Sequence, residues 1–133
     1  MNAKRAILVH LLLFSALLLG ACGGRAAAKA PGDAEAGQAL FNQTVIKDAP
    51  GCATCHSVQP EKILVGPSLA GVATRAASRI PGISAPEYLR DSIVNPNNYV
   101  VAGFPSGVMY QKWEQTLTGA ELDDLVAYLL TLE

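Results

Sequence analysis

Two thiols and an imidazole stand together in "GCATCH", residues 51–56. Cys52 and Cys55 are two residues apart, and His56 follows at once. Three chemistries use such a group. It can be half of a zinc site, a thiol–disulfide redox pair, or the attachment and ligation point of a covalent haem. The rest of the chain decides among them.

A structural zinc site needs four Cys or His ligands. The chain holds three cysteines and two histidines. His10 lies within a leader-like stretch and Cys22 at its end. His56 directly abuts Cys55, an awkward geometry for chelating one ion together. A redox Cys-x-x-Cys follows a strand and opens a helix in an α/β fold. Here it follows the turn "DAPG", 48–51, in a chain with almost no strand signal. The haem reading uses every position. Each thiol adds across one vinyl group to give a thioether, and the adjacent histidine ligates the iron.

A six-coordinate haem needs a second axial ligand. Once a leader containing His10 and Met1 is removed, no histidine other than His56 is left, and one methionine, Met109. His with Met is the ligand pair that raises haem potential in electron carriers. A lone methionine is often a core gap-filler. Met109 instead ends "NPNNYVVAGFPSGVM", 95–109, a Gly- and Pro-rich loop suited to presenting a ligand.

Residues 1–21 carry Lys4 and Arg5, an apolar run from Ile7 to Leu19, then Gly20 and Ala21. That order reads as a secretory signal peptide. "LGAC", 19–22, resembles the bacterial lipobox, which implies lipidation at Cys22. "GGRAAAKAPG", 23–32, reads as a flexible tether. The expected domains are therefore 1–21 signal peptide, 22–32 lipid-anchored tether and 33–133 folded unit. The location is a cell membrane, facing the periplasm or another extracytoplasmic side. Without Lys4 and Arg5, eight basic residues stand against eleven acidic ones. The mature chain is mildly acidic with no basic run, which argues against nucleic acid as a partner.

Three helices must position these groups. The first spans 33–46, with Asp33 as N-cap and Ala36, Leu40, Phe41 and Val45 as its stripe. The second spans 84–94, with Ser84 and Glu87 as a capping box and Asn95-Pro96 as its stop. The third spans 118–132, capped by Thr118 and Glu121. Its apolar residues Leu122, Leu125, Val126 and Leu129 recur at helical spacing. "KILV", 62–65, is the single weak strand candidate. The predicted class is all-α with long loops. Three short helices in about 100 residues make a thin core, which a buried haem would fill.

With these residues in place, 33–133 resembles the class I cytochrome c family. Gly37 and Phe41 fall where that family's first helix crosses its last, with Leu125 and Tyr128 on the facing side. The resemblance implies three main helices around one covalent haem c. In "GPSLAG", 66–71, it implies that the Pro67 carbonyl accepts a hydrogen bond from the ligand histidine. Arg75 falls where the family often has an arginine near a haem propionate. "NPNNYV", 95–100, resembles the family's start of the methionine loop, which places Tyr99 near a propionate. The sequence departs from the pattern in "KDAPG", 47–51, and in a long loop "VVAGFPSGVM", 100–109. It also lacks the lysine-rich docking face of mitochondrial carriers. The stretch 87–109 is similar to haem domains fused to subunit II of cytochrome c oxidases. It is similar too to the small monohaem lipoprotein subunit of alternative complex III.

The expected function is a lipid-anchored monohaem electron carrier with no small-molecule substrate. Its expected partners are redox proteins in the same membrane, such as a quinol-oxidising complex or an oxidase. A free anchored shuttle is the alternative of the same class. A haem enzyme or gas sensor with a labile Met109 bond is the alternative of another class. A structural lipoprotein with an incidental Cys-x-x-Cys-His is the third.

Overall fold

The computed structural model describes residues 32–133. The segments expected to be a signal peptide, 1–21, and a lipid-anchored tether, 22–32, lie outside the described residues but for Gly32. Asp33 opens helix α1, Ala34–Phe41, by accepting hydrogen bonds from the Glu35 and Ala36 amides at 2.9 and 3.4 Å. Its own amide donates to Asp124 Oδ1 at 2.6 Å, tying the start of α1 to the last helix.

The helix stops at Phe41, not at Ile46 as the apolar spacing predicts. Thr44, Val45 and Ile46 are β-branched in succession and favour extended backbone. Val45–Ile46 form β1, paired antiparallel with β2, Ala49–Pro50, across the Lys47–Asp48 turn. Ile46 is 1% exposed, so the residue does enter the core, from a hairpin rather than a helix. The Lys47 ammonium reaches the Thr116 carbonyl at 2.5 Å and Glu121 at 3.1 Å, tying the hairpin to the start of the last helix.

Five more helices follow. They are α2, Cys52–Cys55; α3, Val72–Arg79; α4, Ala85–Val94; α5, Trp113–Thr116; and α6, Gly119–Leu129. The fold is all-α apart from the small hairpin. Helices α4 and α6 start where their caps predict. Glu87 accepts from the Ser84 amide and hydroxyl, and Glu121 from those of Thr118. The 62–65 segment is no strand. Ile63, Leu64 and Val65 are 64, 42 and 54% exposed, so the run has no buried face to hold it in a sheet.

Helices α1 and α6 cross at Gly37. A Cβ there would sit 1.9 Å from the Asp124 carbonyl oxygen and 2.9 Å from Tyr128 Cβ. Only a glycine permits that approach. The crossing packs Phe41 against Tyr128, ring centroids 5.3 Å apart, and buries Leu125 at 2% exposure. Helix α4 packs against α6, and α3 packs against α4. Among the described residues no helix is long and apolar enough to cross a membrane.

Candidate functional site

The hairpin delivers the Cys-x-x-Cys segment. The Gly51 amide donates to the Thr44 carbonyl at 2.8 Å, and Gly51 begins α2. That single turn puts Cys52 and Cys55 on a wall of a cavity of about 330 Å³. The motif thus follows a strand and opens a helix, but the strand is two residues of an isolated hairpin in a helical fold.

The loop after His56 folds back over the ring. The Gly66 amide donates to the Cys55 carbonyl at 2.9 Å, and the Leu69 amide to the Ser57 carbonyl at 2.8 Å. These bonds carry Pro67 to the imidazole, whose Nδ1 lies 2.9 Å from the Pro67 carbonyl oxygen. A carbonyl only accepts, so Nδ1 carries the proton and Nε2 keeps its lone pair. Burial lowers the His56 pKa below its ordinary value, with the Pro67 bond acting the other way. The ring is therefore neutral at pH 7 and able to ligate a metal. Gly66 is part of the cradle. A Cβ at that position would stand 2.4 Å from His56 Cε1.

Met109 lines the same cavity, partly buried against the core. The fold thus brings together Cys52, Cys55, His56, Pro67, Arg75, Tyr99 and Met109, which the sequence places up to 57 positions apart. Phe41, Leu125 and Leu129 close one side from the α1–α6 crossing, and Tyr88 and Leu89 another from α4. Arg75 donates to the Ala70 and Ser68 carbonyls at 2.6 and 3.1 Å, bracing the loop that carries Pro67. Tyr99 meets Tyr88 edge-on at 5.6 Å.

Sequence reasoning missed Arg79, Tyr88, Tyr110 and Trp113. All four line the cavity. Arg79 lies over the Tyr99 ring at 5.7 Å and reaches its hydroxyl at 3.4 Å. Trp113 is 4% exposed and meets Tyr110 edge-on at 5.0 Å. The usable signal for Arg79 was Val72 and Ala76 four apart, which mark the buried stripe of α3.

The cavity's chemistry is one-sided. Among the described residues no Asp, Glu or Lys lines it, and Arg75 and Arg79 are its only charged groups. The ion pairs among the described residues are Lys47–Glu121 and Arg90–Asp123, so neither cavity arginine has a carboxylate partner. Burial pushes the Cys52 thiol up to about 11, the opposite of an activated redox cysteine. No cluster of three or more His, Cys, Asp or Glu suited to a metal ion occurs among the described residues. An apolar slot with two thiols, a neutral imidazole, a thioether and two unpaired arginines suits a large flat apolar ligand that carries carboxylates. Haem is such a ligand, and the residues fit it.

Comparison with known proteins agrees. A family model described as Cytochrome c matches residues 34–133. The chain is 46% identical over 52 residues to cytochrome c2 of Rhodopseudomonas palustris. That stretch covers 39% of this chain and 37% of the relative, so well under half of either protein is compared.

Proposed function

The chain belongs to the cytochrome c family, and on that premise we propose that it is a membrane-anchored, monohaem electron-transfer protein. The family's cofactor is covalent haem c, and Cys52 and Cys55 stand in its attachment segment. When bound, haem c supplies a one-electron ferric/ferrous couple. The observation that carries the reading is one cavity with Cys52, Cys55 and His56 on one side and a single methionine on the loop that completes it.

Each residue has a stated task. Cys52 and Cys55 would hold the cofactor by thioethers. His56 Nε2 would ligate the iron, and the Pro67 bond fixes the ring and tautomer for it. The Met109 thioether would supply the second ligand and so exclude exogenous ones. Arg75, Arg79 and Tyr99 line the cavity and would offer positive charge and a hydroxyl to the propionates of a bound haem. The apolar walls exclude water and hold the dielectric low, which tunes the potential. The chain therefore positions and insulates a redox centre and makes or breaks no substrate bond.

The anchor and the partners are supported by sequence alone. The leader, "LGAC" and the tether support a lipid on Cys22 and an extracytoplasmic domain held to one membrane. The resemblance of 87–109 supports membership of a quinol-oxidising complex such as alternative complex III, or a place beside a terminal oxidase. The alternative within the class is a free anchored shuttle.

The test is a native gel of mildly solubilised membranes, stained for haem, with this chain identified in the bands. A haem-stained band shared with quinol-oxidising or oxidase subunits is expected. A haem-stained band near the monomer mass would replace the subunit with the shuttle. The chain running only where no haem stains would overturn the cytochrome reading. A Cys22→Ala variant is expected to leave the membrane fraction; its retention there would overturn the lipid anchor.

A further inference from the structure

The segment Tyr99–Tyr110 presents Met109 with little backbone support. Among the described residues its single backbone–backbone hydrogen bond is the turn from the Phe104 amide to the Val101 carbonyl, 3.1 Å. Two side-chain amides supply what the backbone lacks. The Gly107 amide donates to Asn97 Oδ1 at 2.8 Å. Asn97 Nδ2 donates to Gln111 Oε1 at 2.6 Å. Gln111 Nε2 donates to the Met109 carbonyl at 2.5 Å. Asn97 is itself rooted on α4, because Asn95 and Asn98 on either side both donate to the Asp91 carboxylate.

We propose that Asn97 and Gln111 form an amide clamp that seats the Met109 thioether as an axial ligand. Both are positioning residues, acting through the loop, and the proposal rests on the reading of Met109 as a ligand. The polarity of the clamp is fixed from both ends. A backbone N–H only donates, so it must meet Asn97 Oδ1. A backbone carbonyl only accepts, so it must meet Gln111 Nε2. Each amide therefore has one orientation, and neither can be replaced by its isosteric acid. Asn97→Asp removes the donor to Gln111. Gln111→Glu sets a carboxylate oxygen against the Met109 carbonyl. Both side chains are exposed, so these changes leave the core untouched.

The test uses the full-length haem-bearing protein and its Asn97→Asp, Gln111→Glu and Gln111→Ala variants. Carbon monoxide binding to the ferrous form is timed, and the charge-transfer band of methionine-ligated ferric haem is recorded beside the melting temperature. Hydrogen bonds of this kind contribute enough that losing the clamp should raise the open population about tenfold. The expected result is about tenfold faster binding and a weakened band in all three variants, with little change in melting temperature. Wild-type binding rates in variants of a protein that shows the methionine band would overturn the clamp and leave the ligand reading standing. Immediate binding and no band in the unmodified protein would overturn both.

Discussion

Burial at Cys52 and His56 sets the two groups up for different work. The Cys52 thiol, held near 11 by desolvation, stays protonated at neutral pH and is a poor partner for disulfide exchange. His56, lowered by the same desolvation, stays neutral and keeps a lone pair for iron. A serine at either cysteine leaves one thioether. Cys52→Ser and Cys55→Ser singly should each retain haem stain on a denaturing gel, while the double variant should release it entirely. At Met109 the expected effect is on potential. Each tenfold by which the thioether favours ferrous over ferric iron is about 59 mV for one electron. Met109→Ala should lower the midpoint potential by at least about that amount, as voltammetry would read. These residues were legible because composition leaves few alternatives: one methionine and one histidine beyond residue 21. Arg79, Tyr88 and Trp113 were not, because each looks like an ordinary surface or core residue until the fold turns it toward the cavity.

Elements explain why those residues meet. The α1–α6 crossing depends on the missing side chain of Gly37, since a Cβ there would press on the Asp124 backbone. Gly37→Val must part the two helices and should cost about 3 kcal/mol in a denaturant titration. At the start of α6, Glu121 accepts from Thr118, which is the largest cause of its lowered pKa; Lys47 adds to it. A carboxyl lowered in the folded state contributes stability above its ordinary value of 4.5, and that contribution fades as pH falls through the folded value. Thr118→Ala should cost about 1 kcal/mol at pH 7. The cost should shrink as pH falls below 4.5 and Glu121 protonates in both proteins; a pH-independent difference would contradict this reading of the cap. Helices α4 and α6 were legible because their capping boxes and stripes agree. Helix α1 was read five residues too long, because Val45 and Ile46 keep helical spacing while their β-branched run takes the chain into a hairpin. Helix α3 escaped notice because Val72 and Ala76 are its only buried residues. The 62–65 run escaped correct reading for the opposite reason, since apolar residues that the fold leaves exposed imitate a strand.

At the scale of the whole molecule, the helices enclose a space as much as a core. A cavity of about 330 Å³ left empty would cost at most about 8 kcal/mol. That is comparable to the entire stability of a domain this size. The haem-free chain, made by the double cysteine variant, should therefore lose fixed tertiary packing while keeping much of its helix. Lost near-ultraviolet and retained far-ultraviolet circular dichroism, with dye binding to exposed apolar surface, would record it. The thin core anticipated from helix count is thus a property of the architecture: the cofactor is the missing part of the interior.

The proposed function stands or falls with Met109 and His56 holding the iron between them. With methyl-labelled methionine in the haem-bearing protein freed of residues 1–21, the ferrous state offers one methionine methyl resonance, from Met109. It should lie far upfield, displaced by the haem ring current, and be lost in Met109→Ala. An unshifted Met109 methyl would contradict Met109 ligation and leave the iron open on that side.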